Sequence, residues 1–290
     1  MTLILAFLSS EYVILASDRR ITWTSRGTVH RTEDTENKAI ALCGHFLMGY
    51  TGFARLGNVK TDQWVVDRLV GVASPSDYFR VLRQEADSAI RAIAQPLGNK
   101  GHAFVAVGYT DVRGSSTGEK EAVGVTVSNA TGGGYGAWSP REAFEIARTP
   151  PLAGPHDFRL QPFGSGIPPR AIIEEAVDLI RRYRKRDRSR AVGVLQVLVG
   201  LIRRVAGSNQ GVSADVSASV LPREAVPAQW VSLPFTGIGD PVEELTCIFV
   251  PANRGVESAI SYGPATVCPG WATWGDEGWA GGHAPPWWRS

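Results

Sequence analysis

The sequence predicts an α+β fold in which antiparallel sheets are flanked by pairs of helices. Hydrophobic patterning gives strands, then two helices, then strands, then two more helices, and finally strands again. A doubly wound parallel sheet would instead alternate single strands with single helices. The blocked order therefore favours sheets of antiparallel strands with helix pairs packed outside them.

Two apolar hairpins are predicted near the N-terminus. Strand-forming runs over 2–8 and 12–17 are separated by the polar turn 9–11, and runs over 38–42 and 45–50 flank Cys43-Gly44. Later strands are predicted over 103–109, 122–127, 143–147, 212–221 and 244–250.

Four helices follow from apolar side chains at helical spacing, at about 65–70, 78–93, 172–180 and 191–206. Pro75 and Ser76 precede the second helix, where proline and a capping hydroxyl are favoured. Pro168 and Pro169 precede the third. We expect a globular domain over 1–252.

Residues 253–290 are predicted to be a separate tail. The patterning ends near Asn253, and the last twenty residues contain five of the nine tryptophans among many glycines and prolines. Such a segment is either a flexible tail or a docking segment, because exposed indoles are costly unless something buries them.

Composition excludes several classes of function. The chain has 290 residues, a formal net charge of +2 and 20% charged residues, so bulk charge gives no case for nucleic acid as a partner. The three cysteines and five histidines show no disulfide or metal-ligand spacing. The N-terminal apolar run lacks a basic region and a cleavage site, and no other window has the length of a membrane span. We therefore expect a cytoplasmic protein that has no membrane partner and uses no metal or organic cofactor.

Thr2 is the candidate nucleophile. A hydroxyl nucleophile needs a base, and the free α-amine of an N-terminal threonine supplies one within the same residue once Met1 is removed. The scheme also needs a cation near the amine, a carboxylate that orients this cation, and backbone N–H groups that face the oxyanion.

Three positions could complete this site. Asp18 ends the second strand of the first hairpin and should return beside Thr2, although it could also pair with a neighbouring arginine on the surface. Lys38 precedes an apolar strand and is either the cation or a solvated strand-edge lysine. Gly52 ends the second hairpin and is either the oxyanion donor or part of a simple turn.

These residues resemble the proteasome β-subunits and the related peptidase of HslUV, within the N-terminal-nucleophile hydrolase superfamily. In that family an Asp follows the N-terminal Thr by sixteen residues in an Ala-x-Asp-x-Arg context, which Asp18 and Arg20 match. A Lys then opens a strand-turn-strand that ends in a glycine-rich turn fourteen residues later, as Lys38 and Gly52 do. The interval before Lys38 is longer than usual, which indicates a loop insertion around 27–34.

A later segment extends the resemblance. Phe163-Gly164-Ser165-Gly166, followed by a predicted helix, is similar to the family's Gly-Ser-Gly turn, in which the serine contacts the catalytic amine. The resemblance implies a four-layer αββα sandwich of two antiparallel sheets between helix pairs. It also implies hydrolysis of peptide or protein substrates, and assembly into homo-oligomeric rings; an ATPase partner is left open.

The resemblance also implies roles for individual residues. Thr2 Oγ1 attacks the carbonyl, Lys38 lowers the local pKa by charge proximity, Asp18 holds Lys38, the Gly52 N–H stabilises the oxyanion, and Ser165 steadies the amine. The implied substrate pocket would be lined by Ile21, Ile40, Tyr50 and Ala54, whose alternative role is that of ordinary core residues.

One feature departs from the simplest catalytic interpretation. The turn at 206–211 lacks the carboxylate that the family usually carries there, and Ser208 and Asn209 are the candidates to replace it by hydrogen bonding. A non-catalytic ring or scaffold subunit that retains Met1 is therefore the alternative function. The basic stretch 181–190 is either a solvated connection between helices or a patch for an acidic partner or nucleic acid.

Overall fold

The computed structural model describes most of the chain up to Arg223 and three short strands beyond it. The residues described in full are 2–22, 30–34, 38–42, 45–69, 72, 77–96, 100–112, 119–130, 139–187 and 191–223, with the backbone alone at 23–25, 28–29, 131, 231–236, 265–268 and 271–273. These residues form an α+β structure with antiparallel sheets and four helices, as the patterning predicts.

The elements have the following bounds. The helices are α1 (Thr61–Leu69), α2 (Tyr78–Arg91), α3 (Arg170–Arg186) and α4 (Ala191–Ala206). The strands are β1 (Ile4–Ser9), β2 (Tyr12–Asp18), β3 (Ile21–Ser25), β4 (Thr28–Glu33), β5 (Ala39–Leu42), β6 (Phe46–Thr51), β7 (Arg55–Leu56), β8 (Val59–Lys60), β9 (Ala103–Asp111), β10 (Lys120–Thr131), β11 (Ser139–Arg148), β12 (Phe158–Phe163), β13 (Val216–Pro222), β14 (Val231–Thr236), β15 (Ala265–Cys268) and β16 (Trp271–Thr273).

Two sheets carry most of the strands. The first has the order β12-β1-β2-β13-β14 and is antiparallel throughout. The second has the order β11-β10-β9-β6-β5-β15-β16, in which only the pairing of β15 with β5 is parallel among the described strands. Two separate hairpins, β3-β4 and β7-β8, complete the strands of the described part of the chain.

The strand β1 is apolar on both faces because each face packs on a different partner. Leu5 and Phe7 join an apolar cluster with α3 and α4, whereas Ile4, Ala6 and Leu8 join a second cluster with residues of β6 and β9. Successive strand side chains point to opposite faces, so a continuous hydrophobic run is what a strand covered on both sides requires.

A third apolar cluster lies between the second sheet and the other helix pair. It combines side chains of β5, β6, β9 and β10 with those of α1 and α2, among which Tyr50, Phe104 and Tyr78 are the largest fully buried ones. Phe46 and Phe79 meet edge to face at 5.0 Å between ring centroids, which is a favoured arrangement for aromatic pairs.

The basic stretch is helical, and one of its arginines is buried. Because α3 continues to Arg186, the residues expected in a connection form its last turns, where cations interact favourably with the helix dipole. Arg184 is 4% exposed, donates to Glu11 Oε2 at 2.9 Å and lies over the ring of Phe7. The prediction of a solvated connection therefore fails for Arg184, which anchors α3 to the first hairpin.

Other expectations differ in detail. The expected loop insertion is the hairpin β3-β4 up to Glu33, and the sequence patterning missed β12. The strand predicted over 244–250 and the cap at Pro75 and Ser76 lie outside the described residues, as does most of the predicted tail. Of that tail, β15 and β16 are described and belong to the second sheet, and the boundary at residue 252 stays a prediction. Among the helices described, none has the length and apolar character needed to cross a membrane.

A pair of leucines tests the placement of the helices α3 and α4. Leu198 of α4 is fully buried against the first sheet, so Leu198→Ala should lower the free energy of unfolding by about 2–5 kcal/mol. Leu179 of α3 is 39% exposed, and Leu179→Ala should change it by less than about 0.5 kcal/mol. Urea unfolding measures both values, and equal losses would contradict the packing.

Candidate active site

Thr2 lies just before β1, against the glycine turn that connects β12 to α3. Its main-chain carbonyl accepts a hydrogen bond from the Gly166 N–H at 3.0 Å. A Cβ atom on Gly164, whose φ is +101°, would lie 2.1 Å from the same oxygen. Any larger residue at 164 would displace Thr2, so close backbone approach explains this glycine.

The Asp18 carboxylate is beside Thr2 because β1 and β2 form a hairpin. It is fully buried, and its oxygens accept the N–H groups of Leu3 at 2.8 Å, Arg20 at 3.0 Å and Ser213 at 3.4 Å. A buried carboxylate requires such partners, and here main-chain donors supply most of them. The side chain therefore has a fixed orientation.

The Lys38 ammonium lies between Thr2 and Asp18. Its Nζ is 3.3 Å from Thr2 Oγ1 and 3.2 Å from each oxygen of the Asp18 carboxylate. It also donates to the Arg20 carbonyl at 2.7 Å, and the residue is 3% exposed. A positive charge, its counter-ion and a hydroxyl thus meet in a place that bulk water does not screen.

A second ion pair fixes the carbonyl that Lys38 contacts. The Arg20 guanidinium donates two hydrogen bonds of 2.7 Å to the Asp34 carboxylate and a third to the Gln210 carbonyl at 2.5 Å. The hydrogen bond from Arg20, together with its charge, lowers the pKa of Asp34 below its usual 3.8, although burial opposes the shift. This two-point contact ties the hairpin β3-β4 to the site.

The turn after α4 contributes through its backbone. The Ser208 hydroxyl donates to the Val205 carbonyl at the end of α4, and Asn209 Oδ1 accepts the Gly211 N–H at 2.9 Å. Among the described contacts, neither side chain reaches the ion pair. The Ser213 N–H donates to Asp18 and the Gln210 carbonyl accepts from Arg20, so this turn supports the site without the side-chain hydrogen bonds expected from the sequence.

Gly52 and Ser165 are both exposed. Gly52 follows β6 with φ of +111°, and a Cβ there would lie 2.4 Å from the Gly101 carbonyl oxygen, so the turn requires glycine. Ser165 lies at the tip of the glycine turn beside Thr2. Both residues are therefore accessible to solvent, Ser165 beside Thr2 and Gly52 in the turn after β6.

The four residues expected to line a pocket divide into two groups. Ile40 and Tyr50 are at most 2% exposed and belong to the cluster with α1 and α2. Ile21 and Ala54 are half-buried, and the Ala54 carbonyl accepts the Thr61 N–H at 3.0 Å. The structure places the first two in the core, which was their alternative role.

Sequence reasoning missed Asp34 and Ser213. Asp34 lies in the segment taken for an insertion, and Ser213 reaches Asp18 through its main-chain N–H, which no side-chain pattern reports. Arg20 was singled out only as part of the Ala-x-Asp-x-Arg match. Its guanidinium contacts with Asp34 and Gln210 join segments that are far apart in the sequence.

Comparisons with known proteins show a structural similarity but no family. No family model matches the chain, and no curated protein matches it. Among solved structures, the chain is similar to Anbu (ancestral beta-subunit) from Yersinia bercovieri, with a TM-score of 0.46, 16% sequence identity, and coverage of 76% of this chain and 81% of that chain. This TM-score is too low for the similarity to carry an argument about fold or activity.

The comparisons correct the family assignment made from the sequence. A solved structure to which the chain is similar is Anbu, whereas the motifs had been assigned to proteasome β-subunits and the HslUV peptidase. That assignment was wrong, because three motifs of one or a few residues each are compatible with more than one group of proteins. The function of the chain therefore has to be inferred from the geometry of Thr2, Asp18 and Lys38 alone.

Two glycines with positive φ test the contact at Thr2. Gly57 has φ of +64° with no atom within 4 Å of an added Cβ, so Gly57→Ala should cost only the backbone strain of about 1–2 kcal/mol. Gly164→Ala adds overlap with the Thr2 carbonyl and should cost about 1–3 kcal/mol more. Urea unfolding of the two variants measures the difference, and equal costs would contradict the close approach.

The ion pair of Arg20 and Asp34 predicts a pH dependence of stability. Because the folded-state pKa of Asp34 is lowered, its stabilising effect is complete above the unfolded value of 3.8 and is lost as the pH falls through the folded pKa. Asp34→Asn should therefore lower Tm at neutral pH, and the difference from wild type should shrink below pH 3.8. Calorimetry across this range checks it, and a difference that grows on acidification would contradict the pairing.

Proposed function

We propose that this chain is an N-terminal threonine hydrolase that cleaves peptide or amide bonds after removal of Met1. The observation that carries the proposal is the 3.3 Å contact between Lys38 Nζ and Thr2 Oγ1, with the ammonium held by the Asp18 carboxylate. A buried lysine that touches a hydroxyl at the second position of the chain is costly as a purely structural arrangement.

The first step of the proposed reaction requires the amine of Thr2. Methionine excision before a small residue would free it, and the amine would then be the base nearest to Oγ1. Oγ1 attacks the substrate carbonyl carbon while its proton passes to the amine. The C–N bond breaks as the leaving nitrogen takes this proton, and water hydrolyses the resulting ester by the same route.

Lys38 and Asp18 would prepare the nucleophile electrostatically. The ammonium favours negative charge on Oγ1 as its proton leaves, and the low exposure of the three residues keeps this interaction strong. Asp18 would compensate the charge of Lys38 and fix its direction. The Arg20 carbonyl at 2.7 Å from Nζ gives a further fixed point.

Backbone N–H groups would bind the oxyanion. Gly52 is exposed in a turn of positive φ, so its N–H belongs to a peptide that a substrate could approach closely. Ser165, exposed on the turn whose Gly166 N–H binds the Thr2 carbonyl, would steady the amine. Ile21 and Ala54, both half-buried, are the remaining candidates for substrate contacts.

The finer description of the fold belongs to the same proposal. The three apolar clusters, two between a sheet and a helix pair and one between the sheets, support four layers in the order α, β, β, α. Assembly of identical subunits, in rings or otherwise, stays a prediction, and so does an ATPase partner.

Intact mass with two probes tests the proposal. The purified chain should lack Met1 and gain one adduct with a β-lactone, which requires only the hydroxyl of Thr2. It should also gain one adduct with an epoxyketone, whose adjacent electrophiles can take both the hydroxyl and the amine. Thr2→Ala should give neither adduct, and Thr2→Ser, which keeps both groups, should still react.

Two results would contradict the hydrolase. Retained Met1 without an adduct would favour the alternative of a non-catalytic ring or scaffold subunit, because a blocked amine cannot be the base. A chain that has lost Met1 and still gives no adduct would exclude an activated threonine directly.

A further inference from the structure

A buried histidine holds the turn that follows β6. The Phe53 N–H donates a hydrogen bond to Nδ1 of His102 at 3.0 Å, and His102 is fully buried. The sequence pattern assigns this residue no role, because its spacing to the other histidines is irregular. Its contact is with the residue next to Gly52, the proposed oxyanion donor.

The imidazole is neutral and carries its proton on Nε2. Burial lowers the pKa of His102 to about 3, and Nδ1 must be unprotonated to accept from Phe53. Among the described atoms Nε2 has no hydrogen-bond partner, which costs free energy. The ring lies 4.7 Å from that of Phe104 and 6.2 Å from that of Tyr50. An apolar side chain would fit these surroundings without that cost, so what histidine adds here is the acceptor at Nδ1.

Asn129 fixes the main chain of His102. Its Oδ1 accepts the His102 N–H at 2.8 Å, and its own N–H donates to the His102 carbonyl at 3.2 Å. Its Nδ2 donates to the carbonyls of Lys100 at 2.9 Å and Arg141 at 3.1 Å. Asn129 thus ties the loop that carries His102 to β10 and β11, which gives the histidine a fixed position from which to support the turn.

Both peptides that flank Gly52 are held in place. Thr51 pairs with Ala103 in the sheet, which fixes the peptide that carries the Gly52 N–H. On the other side, His102 binds the Phe53 N–H and the Thr61 hydroxyl donates to the Phe53 carbonyl at 2.8 Å. A Cβ on Gly52 would lie 2.8 Å from His102 Nδ1, so the imidazole also limits how the turn can move.

We propose that His102 is a positioning residue: through Nδ1 it holds the Gly52–Phe53 turn in the geometry that presents the Gly52 N–H to the oxyanion. This inference rests on the proposed hydrolase function, since no oxyanion forms without an activated Thr2. His102 is fully buried and acts only through the turn.

Two substitutions separate the acceptor from the packing. In His102→Asn, Oδ1 can take the place of Nδ1 and accept the Phe53 N–H. In His102→Leu, a side chain of nearly the same shape as asparagine has no acceptor. Both remove ring volume from the same buried site, so both should lose stability to a similar extent, which thermal unfolding measures.

The readout is the kinetics of β-lactone labelling by wild type and the two variants, with Thr2→Ala as the blank. In His102→Leu the rate constant at saturating probe should fall by roughly 10–100-fold, because an oxyanion donor is mispositioned. The half-saturating probe concentration should change by less than about twofold, as expected for an interaction made only in the transition state. His102→Asn should regain most of the rate.

Each outcome has a separate meaning. If wild type is labelled and His102→Leu reacts as fast as His102→Asn, the positioning role is overturned while the proposed function stands. If wild type is not labelled, the proposed function is overturned and the role with it.

Should His102→Leu not fold, ¹H–¹⁵N spectra of the wild-type imidazoles decide the point. A neutral ring protonated at Nε2 near pH 5 supports the contact, and a ring protonated at Nδ1 overturns it.

Discussion

The buried ion pair of Lys38 and Asp18 is the constraint on which the described structure depends. Removing two opposite charges from water costs several kcal/mol per ion, which is offset only by close approach and by hydrogen bonds to the remaining lone pairs. Here the 3.2 Å contacts, three main-chain N–H groups on the carboxylate and the Arg20 carbonyl on the ammonium meet this requirement. Thr2 Oγ1 is held within the same group of contacts.

This ion pair also joins the two sheets. Asp18 ends β2 of the first sheet, and Lys38 directly precedes β5 of the second, so their contact spans the cluster in which Ile4, Leu15 and Leu47 pack. The relative placement of the two sheets therefore also sets the geometry at Thr2. A shift of either sheet by a fraction of a residue spacing would separate the two charges and leave them unpaired in the apolar interior, which costs free energy.

Much of the site consists of main-chain groups held by side chains elsewhere. The Arg20 carbonyl is placed by the pairing of its guanidinium with Asp34, and the Gly52 turn by His102 and Thr61. Gly164 and Gly166 let the chain approach Thr2 without a Cβ. The arrangement combines a rigid frame with a small group of polar atoms, which suits a preorganised site.

The sequence by itself determined the alternation of strand blocks and helix pairs, the two N-terminal hairpins and the proximity of Thr2 to Asp18, because hairpin pairing is local and strand periodicity is visible in the residues. It could not assign the family from short motifs, nor separate core from pocket for Ile40 and Tyr50. Only the tertiary structure decided that Lys38 reaches Thr2, that Arg184 is buried, and that Asp34, Ser213 and His102 support the site. These contacts join residues distant in sequence, and several act through main-chain atoms that every residue carries, so no sequence pattern records them.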